Sequence, residues 1–354
     1  MRAVALLGLH APEEVVRRFN LPGVNIFSGN ELDPTDRPDA VLIFGGDGTI
    51  HRHLAGLALK RVPTLVVPIG SGNDFAHSIG IDSVARSLSA WRRFCTQGNN
   101  ARAIDLGTIQ SLKNSLPGLN SEASSTAATS EPQAEQGDPW YADLPETLHF
   151  VPDGRRRDLP QMGRRIMQSQ LRRASDAERE IARTTFFCCI AGTGLDAAVN
   201  RVAMKQSRWL RGHGGYLVAL LQTLGSFRPP HITVSIERDG AWQTAIDESG
   251  FLVAAGNGPQ YGHGMRLTHQ ARMDDGLLDL CFVRRVGKMR LLRLIRTVYS
   301  GEHIRMNEVE YCRAERVRIA SEPVSEIFAD GEYVCPTPLE IGVARAALRV
   351  IVPA

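Results

Sequence analysis

Five residues, Gly45-Gly46-Asp47-Gly48-Thr49, follow the apolar run Ala40-Val41-Leu42-Ile43-Phe44. A β-type run that ends in three glycines around one carboxylate reads as a strand feeding a tight turn. Glycine lets the backbone approach a ligand closely and reach positive φ. Residues 50–59 then read as a helix, with Leu54, Leu57 and Ala58 on one side. The first N–H groups of such a helix form an anion site. The chemistry this favours is phosphate binding beside a poised acid. A plain strand–turn–helix corner uses the same residue types, and this segment alone does not separate the two.

A second cluster has the same character. The apolar run Val62–Val67 leads into Pro68-Ile69-Gly70-Ser71-Gly72-Asn73-Asp74-Phe75-Ala76, with a second carboxylate at Asp74. Two neighbouring strands of a parallel sheet would bring both loops to one carboxyl edge, where α/β folds bind their ligands.

Together, GGDGT and PIGSGNDFA resemble the diacylglycerol kinase catalytic-domain family, the group that contains bacterial lipid kinases and sphingosine kinases. Ala191-Gly192-Thr193-Gly194-Leu195-Asp196-Ala197 resembles the family's AGxGxDA segment. Gly256-Asn257-Gly258, Tyr261-Gly262-His263-Gly264-Met265 and Asp274-Asp275-Gly276-Leu277-Leu278-Asp279 resemble its GN, YGGGM and DDGLLD stretch, and Asp330-Gly331-Glu332 its DGE. These motifs stand in the family's order. A lone GGDG also fits NAD kinases, which are distant relatives.

The resemblance implies a two-domain lipid kinase of NAD kinase-like architecture: an α/β domain for nucleotide, a β-rich domain for lipid, and an active site in the cleft between them. It implies phosphorylation of a lipid hydroxyl that depends on ATP and Mg²⁺. Diacylglycerol, a sphingoid base, phosphatidylglycerol and a polyprenol all fit as acceptor. Phosphoryl transfer needs a phosphate cradle, a bridging metal and a base near the acceptor hydroxyl. Gly45, Gly46, Gly48, Thr49, Gly70, Ser71, Gly72 and Asn73 are the candidate nucleotide cradle. Asp47 and Asp74 are the candidates to hold Mg²⁺, directly or through water. Asp74 also suits a helix N-cap, and Thr49 and Ser71 have capping as their other reading. By resemblance, Glu332 removes the proton from the lipid hydroxyl; read from its turn alone it would be a surface hairpin acid. By resemblance, Asp275 binds a structural Mg²⁺ with nearby backbone carbonyls; an ordinary Asp-Gly turn is the other reading. Asp105 is a further candidate active-site acid.

The chain also departs from the family. Asn or His and then Glu usually follow the GGDGT at two and three residues' distance; here His51 and Arg52 stand there, so Arg52 inverts the local charge. The usual N-terminal Asn-Pro is absent. Two alternatives therefore accompany the kinase reading: a catalytically degenerate protein that binds lipid or a protein partner, and a soluble-substrate kinase of the NAD kinase type.

The elements that must position these residues follow from periodicity. Residues 1–103 alternate apolar runs (3–9, 40–44, 62–68) with helical patterns (12–19, 50–60, 82–95), the grammar of a parallel sheet. Residues 104–340 read as a β-rich second domain with helices at 214–226 and 287–299, and strands at about 341–354 are candidates to return to the first. An insertion at about 110–182 interrupts the second domain. Within it, 111–139 lacks large apolar side chains and is expected to be disordered. Residues 155–173 hold seven arginines against one acid, Asp158. That stretch reads as a basic arm. Residues 284–296 carry six cations among apolar residues, which reads as core packing with a basic outer face.

Composition narrows the class further. The 354 residues carry a net charge of +3, too little to argue for nucleic acid. The six cysteines show no C-x-x-C pair and read as reduced thiols. No apolar run approaches 18 residues, so no membrane span is expected. The expected setting is cytoplasmic, peripherally on the inner face of a membrane. ATP, a lipid and an anionic membrane surface are the expected partners, and a homodimer is a candidate assembly.

Overall fold

The computed structural model describes residues 1–8, 11–29, 31–32, 37–112, 184–204, 215–262 and 264–353. The chain divides into two units, one of Met1–Lys113 with Ile181–Ala354, the other Asn114–Glu180. The second lies outside the described residues, as do the basic stretch 155–173 and all of the expected disordered stretch but its first two residues. Of those two, Ser111 is in fact the last residue of a strand, paired with Leu339.

The first unit opens with four parallel strands in the order β2 (Asn25–Gly29), β1 (Arg2–Leu7), β3 (Ala40–Gly45), β4 (Thr64–Pro68). Strands β3 and β4 are buried along their whole length, as expected of central strands covered on both faces. Helices α1 (Glu13–Arg17), α2 (Asp47–Lys60), α3 (Asp74–Ser78) and α4 (Val84–Gln97) supply the connections. In α4, Ser83 caps the Arg86 N–H and Gly98 ends the helix at φ +66°. Its Trp91 is fully buried and donates its indole N–H to the Phe19 carbonyl at 2.9 Å.

Beyond β5 (Ala101–Ser111) the strands become antiparallel: β6 (Thr185–Phe187), β7 (Ile190–Gly194), β8 (His231–Arg238), β9 (Ala241–Gly256), β10 (Leu278–Arg284), β11 (Val309–Ala314), β12 (Arg316–Glu322), β13 (Glu326–Ala329), β14 (Glu332–Pro336) and β15 (Leu339–Ile351). Strand β9 belongs to two sheets: its first half pairs with β8, its second with β7 and β10. Strand β15 links the two halves of the unit. It pairs with β12 at its start and touches β4 at Val350↔Thr64, while β5 runs antiparallel beside it. The register of that pairing shifts between Ala344 and Leu348, where Ala346 has φ +51°. Such a bulge bends a strand.

Ile232, Val234, Val253, Leu280, Phe282, Val317, Ile327 and Ile341 fill the core of the β-rich half. A separate apolar cluster joins that half to helices α5 (Leu195–Met204), α6 (Gly215–Ser226) and α7 (Lys288–Val298). Two segments depart from the periodicity reading. Helix α2 starts at Asp47 rather than residue 50, because Thr49 and Ile50 both donate to the Gly46 carbonyl. The strand Asn25–Gly29 has no apolar alternation to announce it and is partly exposed throughout.

Candidate active site

The two glycine turns leave β3 and β4 side by side. A Cβ on Gly70 would lie 2.5 Å from the Cα of Gly46, so the approach requires glycine at 70. Gly46 is the N-terminal boundary of α2 and carries no side-chain cap. The Gly70 turn is closed by Asn73, which has φ +59°. Its Oδ1 accepts from the Gly70 N–H at 3.0 Å and its Nδ2 donates to the Gly70 carbonyl at 2.7 Å.

Asp47 spans the turns. Its Oδ2 accepts from the Asp74 N–H at 3.0 Å and its Oδ1 from the Phe75 N–H at 3.1 Å. Helix α3 is thus capped by a carboxylate from α2. Asp74, weighed above as an N-cap, is instead the first residue of α3, and its Oδ1 accepts from the Gly264 N–H at 3.2 Å. Burial and then the Asp74 charge push the Asp47 carboxyl up to about 6; its two backbone hydrogen bonds oppose this, and Asp330 adds to it.

The facing wall is the turn between β13 and β14. Asp330 sits at φ +50° and Gly331 at φ +88°. The Asp330 carboxylate accepts from the N–H groups of Cys188 at 2.7 Å, Cys189 at 2.8 Å and Ile190 at 3.2 Å. Glu332 follows, its Oε1 3.0 Å from where a Gly48 Cβ would stand. A cavity of about 580 Å³ opens between the walls. Gly46, Asp47, Gly48, Thr49, Gly70, Ser71, Gly72, Asp74 and Glu332 all line it. Arg52, Asn200, Tyr261 and Asp330 line it too.

Four sequence candidates lie elsewhere. Gly45 and Asn73 stand behind the wall and shape it. Asp105 is buried among backbone donors: its Oδ2 accepts from Gly276 N–H and its Oδ1 from Ala346 N–H, both at 2.7 Å. It pins the β15 bulge and does not line the cavity. Asp275 accepts from the Leu277 N–H at 3.1 Å and stands 3.7 Å from the Arg313 guanidinium.

The residue reading missed the weight of Asp330 and Tyr261. Both lay inside quoted motifs, but nothing local marks an aspartate that collects three amides from 140 residues away. Tyr261 donates to Asp196 Oδ1 at 2.5 Å. It also lines a second, apolar crevice with Leu195, Val199, Leu220, Leu291, Leu294 and Val298.

Residues 30–109 match the diacylglycerol kinase catalytic domain, and residues 189–352 match the YegS C-terminal NAD kinase beta sandwich-like domain. The chain is 28% identical to a protein named diacylglycerol kinase from Mycobacterium tuberculosis, over 89% of this chain and 77% of that one. It is 23% identical to a diacylglycerol kinase from Bacillus subtilis, over 89% and 78%. A crystal structure of a diacylglycerol kinase from Bacillus anthracis shares the fold, with a TM-score of 0.56 at 14% identity, covering 99% of this chain and 96% of that chain.

Proposed function

Since the chain belongs to the diacylglycerol kinase catalytic-domain family, we propose that it transfers the terminal phosphoryl group of ATP to the hydroxyl of a membrane lipid, with Mg²⁺. The observation that carries the lipid acceptor is Tyr261. It lines both the polar cavity and a small apolar crevice of about 50 Å³, so apolar surface borders the polar cavity where the acceptor of a lipid kinase would lie.

The residues fit a divalent cation. Asp47 and Asp74 face one cavity, and the Asp47 carboxyl is pushed up partly by its neighbour's charge. A cation between them relieves that repulsion. Among the described residues no group of three His, Cys, Asp or Glu side chains could hold a metal. Two carboxylates suffice for Mg²⁺, which keeps several waters and takes phosphate oxygens as ligands. When bound, the ion would neutralise charge on the phosphates. The remaining work falls to the protein. Backbone N–H groups of the two glycine turns and the start of α2 hold phosphate oxygens. Glu332 takes the proton of the acceptor hydroxyl, on the side of Gly48 and so beside the phosphate turn. Asp330, fixed by three amides, holds the turn that carries Glu332.

The test is transfer of labelled phosphate from ATP in mixed micelles, across diacylglycerol, a sphingoid base, phosphatidylglycerol, a polyprenol and NAD. Transfer to one lipid and none to NAD is the expected result. Transfer to NAD alone would overturn the reading, and folded protein that fails to bind millimolar Mg·ATP in calorimetry would favour a pseudokinase.

A further inference from the structure

His51 makes a contact that the chemistry above does not use. It lies on α2, one turn beyond Asp47, and reaches the opposite wall. Its side chain is 16% exposed, and its Nδ1 stands 3.5 Å from Oδ2 of Asp330. That nitrogen is buried and has no closer hydrogen-bond partner. Asp330 cannot retreat, since its two oxygens already hold three backbone amides. Helix α2 therefore meets the β13–β14 turn at two points, His51 against Asp330 and Gly48 against Glu332. At 3.5 Å the contact is too long for a good hydrogen bond but within ion-pair distance, and a low-dielectric surrounding strengthens such a pair.

We propose that His51 is a positioning residue: as the imidazolium it clamps the β13–β14 turn against α2, so that the placement of Glu332 depends on one proton.

The groups around it favour the charged ring. From the β13–β14 turn it faces Asp330 and Glu332. The neighbouring link between β6 and β7 brings Cys188 and Cys189, both held as thiols by burial. Its own helix carries Asp47 on the cavity side and Arg52 beside it, and Asp74 of α3 lies behind Asp47. Burial alone would lower the ring's pKa, but the Asp330 contact and the charges of Asp330 and Glu332 outweigh it and hold the group above its ordinary value. The clamp is thus engaged below that raised value and is lost as pH rises through it.

Two measurements test this, and the first does not depend on the lipid kinase reading. Imidazole NMR on the full-length protein should show His51 titrating above pH 6.5, and Asp330→Asn should bring it to or below that value. The second rests on the proposed function. Turnover on the accepted lipid should fall along an alkaline limb that follows the same titration. His51→Asn, verified as folded by its melting curve, should flatten that limb and lower kcat roughly tenfold with the KM for ATP little changed, because the lost charge-assisted contact acts in transfer and not in nucleotide binding. A ring that titrates at or below 6.5 in the unaltered protein overturns the proposal. So does His51→Asn with an unchanged alkaline limb. If no lipid is phosphorylated while the NMR shifts appear as expected, the clamp stands and the acceptor reading fails.

Discussion

The backbones of Gly46 and Gly70 touch: a Cβ on Gly70 would stand 2.5 Å from the Cα of Gly46. This wall of the cavity is therefore one surface made from two strand ends, and a methyl group on Gly70 would drive into Gly46. Gly70→Ala should destabilise the fold by about 1–3 kcal/mol, the usual range for overpacking, and weaken Mg·ATP binding in calorimetry. Gly56 is the control. It lies in the middle of α2 with nothing within 4 Å of its would-be Cβ. Gly56→Ala should stabilise by about 1 kcal/mol through helix propensity and leave binding alone. Equal effects from the two substitutions would show that the turns are not in contact.

Glu332 carries the second expectation. Its carboxylate faces the cavity across Gly48, so its removal should leave the fold unchanged. Glu332→Gln and Glu332→Ala should each lower kcat by about 10²–10⁴-fold, the usual loss of a general base. Calorimetric affinity for Mg·ATP should stay within a small factor. Near-full turnover in either variant would assign the base elsewhere.

Acid stability depends on a different histidine. Burial, and secondarily the Arg52 charge, lower the His53 pKa to about 4. The unfolded chain takes up that proton near pH 6.5, well before the folded protein does. Stability is therefore complete above pH 6.5 and is lost as pH falls toward 4. The linkage amounts to about 2 kcal/mol between pH 7.5 and pH 5. Asp47, whose carboxyl is raised to about 6, gains stability over the same range and opposes this. The His53 share is therefore read as the difference between the protein and His53→Gln: in urea unfolding the variant should lose about 2 kcal/mol less between the two pH values. The same pH sensitivity in the variant would place the titrating group elsewhere.

Much of this arrangement is legible in the chain, because its glycine turns sit at the ends of long apolar runs. Gly45–Thr49 and Gly70–Asp74 announce their strands by composition, and their shared edge follows once β3 and β4 are seen to pair. What the residues do not announce is made by distant partners. Asp330 looks like a turn aspartate until Cys188, Cys189 and Ile190 are brought beside it. Asp105 looks like a strand-end acid facing the site, yet Gly276 and Ala346 claim both of its oxygens. The first half of β9 is polar and exposed, so only its apolar second half, 250–256, is visible as a strand. The doubled role of Tyr261 needs Asp196 and the helices above the β-rich half, none of which is near it in sequence.

The apolar crevice makes a prediction about chain length. Ile295 of α7 lines it with Leu294 and Val298. Ile295→Trp should fill it and raise the KM for a long-chain acceptor roughly tenfold, within the usual range for steric discrimination in an apolar pocket. A short-chain acceptor in solution should be affected far less, and ATP binding not at all. Equal effects on both acceptors would remove the crevice from the lipid path.

The last prediction concerns the chain between β5 and β6. These strands pair antiparallel, with Ile109 opposite Thr185, so the chain leaves and re-enters the fold at adjacent points. Replacing 113–182 by a short glycine-rich turn should therefore preserve the first unit. Shortening a loop this long removes closure entropy that grows only logarithmically, worth about 2 kcal/mol at most in a flexible-loop estimate, so the melting temperature should not fall. The removed segment contains the seven arginines of 155–173. Each cation near an anionic surface contributes about 1 kcal/mol of attraction, so vesicles rich in phosphatidylglycerol should bind the shortened protein at least roughly tenfold more weakly at low salt. The difference should shrink at 0.5 M salt, where charges are screened beyond about 4 Å. Unchanged vesicle binding would reduce the segment to a spacer, and loss of folding would show that the fold packs against it.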